Sequence, residues 1–249
     1  MLSKNQLKRL RGLQRKKERK ITGLFVVEGK KIVEELLQSS TAYVELYATC
    51  SWFDNNPTYL GKDNSYELSD RDLGQVSTLK TPNEVLLVLK QQVLTSFDLV
   101  ADESLVLALD GVSDPGNLGT IIRLADWFGV EHILCTSDTV DQYNPKTVQS
   151  AMGSINRIQM HYGDLSQMLS NLSSHTIYAS DLKGESIYTT SFAKNSILLM
   201  GSESHGISDE ILSLDNKKIT IPTLSKSGID SLNVATATAI VLSEFRSKL

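Results

Sequence analysis

Cysteine is nearly absent: Cys50 and Cys135 are the only two in 249 residues. Two thiols so placed form neither a disulfide framework nor a metal-ligand set, and a reducing cytoplasm is the expected compartment. Histidine is also sparse, four residues with no HExxH spacing, so no metal is expected. No apolar run approaches the ~20 residues that a membrane-spanning helix needs, and no membrane association is expected. The charged start lacks the apolar segment of a secretory signal. A glycine-rich GxGxxG turn is missing, which removes the dinucleotide-binding fingerprint. There is no internal repeat and no low-complexity tract. What remains is an ordinary composition, 41% hydrophobic, enough for a packed core in one or two domains.

Charge is unevenly distributed. The chain holds 25 Lys and Arg against 29 Asp and Glu. Residues 1–31 contain eleven of the basic residues and only two acids, leaving 14 basic and 27 acidic residues for the rest. A basic end on an acidic body points to a polyanion bound at that end. The residues expected to contact nucleic acid are Lys8, Arg9, Arg11, Arg15, Lys16, Lys17, Arg19, Lys20, Lys30 and Lys31, because phosphate contacts come from clustered Lys and Arg.

Periodicity divides the chain in two. Leu7, Leu10 and Leu13 put an apolar edge on a helix over residues 3–19, which Thr22-Gly23 ends. LFVV (24–27) reads as a strand and residues 29–38 as a helix. YVELYAT (43–49) and VLLVLK (85–90) read as strands, 55–57 and 61–65 as loops, and Ser69 as the cap of a short helix. These form a small α/β domain over residues 1–94, and TSFDLVADE (95–103) is polar enough to be a linker. From 104 to 249, apolar strands at 105–110, 132–136, 157–161, 176–180, 196–200 and 218–221 alternate with helices. That alternation implies an α/β fold with a parallel sheet covered on both sides.

Three turns carry polar residues after such strands, where ligands of open α/β sheets sit. In DPGNLG, Pro115-Gly116 makes a tight turn and Asn117 is placed to cap the following helix. Arg123 lies off that helix's apolar stripe and can offer its planar guanidinium to a phosphate. In GSESHG, the glycines at 201 and 206 permit close backbone approach and Glu203 stands between them. In the third, Ser231-Leu232-Asn233 opens the last helix, with Ser231 a good N-cap and Asn233 harder to place, since Asn is a poor helix-interior residue. Each turn taken alone also reads as a capped loop.

Taken together, DPGNLGTIIRLADWFGV, LLMGSESHGIS and IPTLSKSGIDSLNVATATAI resemble the three signature motifs of SpoU-like (TrmH-type) RNA methyltransferases of the SPOUT superfamily. The likeness covers about 105–249, and the first domain resembles the small substrate-binding domain of ribosomal-RNA members. The resemblance implies a deep trefoil knot in the parallel-sheet domain, a homodimer, and S-adenosylmethionine bound in the knot loops. It implies methyl transfer to a ribose 2′-hydroxyl in ribosomal RNA. A transfer-RNA substrate, or a non-catalytic RNA-binding protein of the same fold, are the alternatives. It places Gly201, Ile221 and Leu232 at the cofactor, and Asn117, Arg123, Glu203, Ser231 and Asn233 among the catalytic positions. Gly201→Val is expected to block the cofactor pocket while leaving the fold largely intact. The chain departs from the pattern at GSES, in a loop about two residues longer before Ser231, and at Asp126-Trp127, which is expected to tune the dimer contact.

Overall fold

Ser3 and Gln6 form a reciprocal capping box, and helix α1 (Lys4–Gly12) follows. The expected single helix over 3–19 is two. The chain turns at Leu13–Arg15 and resumes as α2 (Lys16–Thr22), which Gly23 closes in the left-handed region. The turn is stabilised from within: Arg19 is buried and donates to the carbonyls of Leu13 (3.0 Å) and Gln14 (2.7 Å), which the break leaves without helical partners.

The computed structural model describes residues 2–94, 105–224 and 231–248. The expected linker at 95–103 and most of the loop before Ser231 lie outside them. The described chain forms two compact units: residues 1–92 with 143–153, and 93–142 with 154–249.

The first unit continues with β1 (Leu24–Glu28), α3 (Lys30–Gln38), β2 (Glu45–Ala48), α4 (Cys50–Asn55), β3 (Ser65–Glu67), α5 (Asp70–Val76) and β4 (Val85–Lys90). Its sheet runs β1-β4-β2-β3, antiparallel except for the β2–β3 pair. Leu10 and Leu13 join Tyr47, Leu73, Val76, Leu86 and Val88 in its core. Ser69 caps α5, accepting from Asp72 N at 3.1 Å, as expected. Helix α4 and strand β3 are additions: the sequence reading left 50–54 and 66–67 unassigned and put Asn55 and Ser65 in loops. Thr49 caps α4 and buries Trp52 and Phe53 behind it.

The second unit comprises β5 (Leu105–Asp110), α6 (Pro115–Trp127), β6 (His132–Thr136), β7 (Gln159–Gly163), α8 (Leu165–Asn171), β8 (Thr176–Ser186), β9 (Ser196–Gly201), α9 (Asp209–Leu212), β10 (Lys217–Thr220) and α10 (Val234–Ser247). Between β6 and β7 in sequence lies α7 (Pro145–Ala151), which packs on β1 and belongs to the first unit. The six strands are all parallel, in the order β10-β8-β9-β5-β6-β7. The side chains of β5, β6 and β9 are buried on both faces, which explains their continuous apolar runs. Leu165, Leu169 and Ile211 from α8 and α9 fill one face, while α6 packs with α10 and α10 also reaches β9. The chain leaves β5 toward β6 and β7 on one side, and the later strands lie on the other. The β5–β9 boundary is therefore the switch point at which open α/β sheets leave a crevice beyond the strand ends. No helix among the described residues is long and apolar enough to cross a membrane.

Candidate active site

Asp110 and Gly201, the last residues of β5 and β9, are register partners. The two strands thus deliver their loops side by side. After β5, Asp114 rather than Asn117 caps α6: its carboxylate accepts the backbone N–H of Asn117 at 2.9 Å, with Pro115 in the first turn. Asn117 therefore sits in that first turn with its own amide free to point outward. After β9, Ser202 and Gly206 exchange two backbone hydrogen bonds, of 3.0 and 2.9 Å, and close a tight turn holding Glu203, Ser204 and His205. The end of this turn is pinned by Asp110, whose buried carboxylate accepts Ser208 N–H at 2.7 Å. Asp110 was not singled out from sequence; the available signal was an acid terminating an otherwise apolar strand.

The third segment arrives from α10. Its cap is Asn233, not Ser231: Asn233 Oδ1 accepts from Ala235 N (3.0 Å) and Thr236 N (3.2 Å). This resolves why an Asn stands there. With its oxygen occupied by the helix, Asn233 can only donate, and its Nδ2 reaches Asn117 Oδ1 at 2.9 Å. That fixes the Asn117 amide in turn, and its Nδ2 donates to the Glu203 carboxylate. Three residues 86 and 116 positions apart in pairs thus form one oriented relay, Asn233 to Asn117 to Glu203.

Beside the relay lies a cavity of about 250 Å³. Gly201, Ile221 and Leu232 all line it, with Glu203 and Ser231 at its edge and Met200, Ile219 and Val241 in its apolar wall. Asp181 also borders it. A hydrogen bond from Lys218 (2.7 Å) and one from the Lys183 backbone (2.9 Å) hold the Asp181 carboxyl below the usual range. Asp181 is thus already paired with a cation, and an apolar slot with the Glu203 carboxylate at its edge suits a ligand with an apolar body and positive charge.

Gly201 contributes differently from the expectation. A side chain there would fall onto the backbone of Gly206 and Ile207. Its missing Cβ admits the other limb of its own turn, so a larger residue would displace the loop as well as narrow the cavity. Arg123 is exposed and makes no hydrogen bond or ion pair among the described residues. Six residues beyond Asn117 on α6, it is about 9 Å farther along the axis and about 240° around it. Its own chain does not bring it to the relay. Trp127 on the same helix is 83% exposed. Neighbouring Asp126 is tied to Ser154 (2.6 Å) and to Arg157.

In the first unit, the expected RNA-binding residues separate into two groups. Lys8, Arg11, Arg15, Lys16, Lys17, Lys20, Lys30 and Lys31 are exposed. Arg19 is not available to a polyanion, being 3% exposed and bonded inside the α1–α2 turn. Arg9 is already neutralised, paired with Glu45 and donating to Tyr47 Oη at 3.2 Å.

Comparison with known proteins accords with both units. Residues 104–243 match the family model of the SpoU rRNA Methylase family, and residues 4–87 that of the MRM3-like substrate binding domain. The chain is 30% identical, over 98% of its length and 97% of the relative's, to the 23S rRNA (guanosine(2553)-2′-O)-methyltransferase RlmP of Bacillus subtilis. Among solved structures, a TrmH-family protein of Porphyromonas gingivalis is 34% identical, with a TM-score of 0.83 and full coverage of both chains. An AdoMet-bound rRNA methyltransferase of Sinorhizobium meliloti is 28% identical, with a TM-score of 0.85 over 100% of this chain and 97% of that one.

Proposed function

Because the chain belongs to the SpoU rRNA methylase family, we propose that it transfers a methyl group from S-adenosylmethionine to a ribose 2′-hydroxyl of ribosomal RNA, acting as a cytoplasmic homodimer. The observation that carries this reading is the meeting of Gly201, Ile221 and Leu232 around one cavity beside the Asn233–Asn117–Glu203 relay. The ribosomal substrate and the cofactor rest on the relatives' activities, together with the basic first unit. The reading includes a trefoil knot, supported by the bond of Asn233 to Asn117 after β5 and by the cavity that Ser231 and Leu232 line together with Glu203 after β9.

The residues present fit the cofactor. The backbone of 200–203 and 219–221 and the apolar side chains around it offer an adenine-sized slot, and Glu203 favours a cation. When bound there, S-adenosylmethionine supplies an electrophilic methyl group. The protein's task is to place the 2′-hydroxyl in line and let its proton leave as the oxygen attacks. Asn233 and Asn117 each keep one amide N–H beyond the relay for a ribose oxygen. Ser231 adds a hydroxyl at the same edge, and the second carboxylate oxygen of Glu203 is an acceptor for the departing proton. Arg123, too far round α6 to serve its own relay, is supplied by the second copy. There its guanidinium holds the phosphate next to the target ribose.

Two measurements test this reading. Calorimetry on the purified protein should show S-adenosylmethionine binding; no heat at high cofactor concentration would remove the assignment. Mapping 2′-O-methylation in cells with and without the protein should reveal one ribosomal ribose that loses its methyl group. Loss from transfer RNA instead would correct the substrate.

A further inference from the structure

The exposed basic residues of the first unit are not equivalent. Lys4, Lys8 and Arg11 lie at i, i+4 and i+7 of α1, on the side opposite buried Leu10. With Arg15, Leu7 and Gln75 they line a groove of about 340 Å³. No carboxylate among the described residues lines it, although the chain beyond residue 31 is strongly acidic. Within it Arg11 is held in place. Its Nε donates to the backbone carbonyl of Gln75 and its Nη2 to Gln75 Oε1, both at 2.8 Å. Gln14 Nε2 donates to the next carbonyl, that of Val76, at 2.7 Å. These bonds satisfy the end of α5 and dock α1 against it.

The acceptors on Arg11 are neutral, so its charge is not cancelled as that of Arg9 is by Glu45. A guanidinium carries five N–H donors in a fixed plane. Two are occupied by Gln75, and three remain on a side chain already immobilised. An arginine so prepared binds a phosphate with little further loss of rotamer freedom.

We propose that this α1 groove is the track for the RNA sugar-phosphate backbone, with Arg11 as its fixed phosphate contact and Lys4, Lys8 and Arg15 as its mobile ones. The inference rests on the RNA-methyltransferase reading but goes further. It adds Lys4 to the contacting residues, removes Arg9 and Arg19, and separates the groove from the basic residues of α2.

The test measures the affinity of the full chain for a fluorescently labelled ribosomal-RNA hairpin as KCl is raised. One variant removes the groove charges (Lys4→Gln, Lys8→Gln, Arg11→Gln, Arg15→Gln). A second removes charges off the groove (Lys16→Gln, Lys17→Gln, Lys20→Gln). A third is Arg11→Lys. Each phosphate contact contributes roughly 0.7–0.9 to the log–log salt slope. The groove variant should flatten the slope by about 3, with cofactor affinity unchanged, and the α2 variant by less than about 1. Arg11→Lys keeps the charge but loses the fork, and should weaken binding several-fold at unchanged slope. Equal effects of the groove and α2 variants would overturn the groove in favour of a diffuse basic field. An unchanged slope in the groove variant would leave Arg11 as a structural cap of α5. Failure of the wild type to bind RNA at all would overturn the underlying RNA reading instead.

Discussion

Asn233 performs two tasks that substitution can separate. Its oxygen caps α10 through Ala235 and Thr236, and its amide nitrogen orients Asn117. Asn233→Ala removes both. Loss of an N-cap costs about 1 kcal/mol, and loss of one exposed amide hydrogen bond about 0.5 kcal/mol. The sum, about 1.5 kcal/mol, corresponds to a fall in melting temperature of roughly 3–6 °C for a chain of this size. Asn233→Asp keeps the capping oxygen and adds negative charge at a helix N-terminus, worth about 0.3–1 kcal/mol. It also sets a carboxylate oxygen against Asn117 Oδ1. Asn117 could relieve that only by turning its amide over, which would face its oxygen to Glu203. The aspartate variant should therefore melt within about 1 kcal/mol of the wild type. It should lose at least tenfold in single-turnover methylation at saturating RNA and cofactor, equivalent to about 1.4 kcal/mol of transition-state stabilisation. Wild-type turnover in Asn233→Asp would refute the relay. A wild-type melt in Asn233→Ala would refute the cap.

Arg123→Ala should shift stability by no more than about 0.5 kcal/mol yet lower turnover about 100-fold or more, about 2.7 kcal/mol. Mixing it with Asn233→Asp subunits should restore activity, because one site of the mixed dimer then has both groups; no restoration would place Arg123 in its own chain's site or outside the reaction. Gly201→Ala should lower melting temperature and cofactor affinity together, by the roughly 1–3 kcal/mol typical of overpacking, whereas an unchanged melt with lost binding would restore the simple pocket-blocking view. The buried His161 ring, 3.0 Å from His132, is held below the ordinary value of 6.5 by burial and then by that neighbour. The unfolded chain thus takes up a proton before the folded one does, and stability present above pH 6.5 should be lost progressively as pH falls below it. Melting temperature against pH should be flatter for His161→Gln, and parallel curves would assign the dependence elsewhere.

The amino-acid sequence by itself determined the elements whose signals are local. VLLVLK, LVLALD and HILCT became β4, β5 and β6 with the expected limits, because strands buried on both faces are written as unbroken apolar runs. Ser69 capped its helix because a cap needs only its own next turn. The three motifs and their family were legible for the same reason. What the tertiary structure decided were choices between locally equivalent residues. Asp114 or Asn117, and Ser231 or Asn233, are all competent caps. Pro115 in the first turn settles the first choice, and the Asn117 amide, 116 residues from Asn233, settles the second. Arg9 and Arg19 read like their neighbours until Glu45 and the α1–α2 turn claim them. The missing Cβ of Gly201 serves the returning limb of its own turn, a close approach visible only once the chain has folded. Nor does spacing reveal that α7 belongs to the first unit. Sequence carries the hydrophobic period and the donor types; which donors meet depends on strand order, which is set by packing the whole sheet.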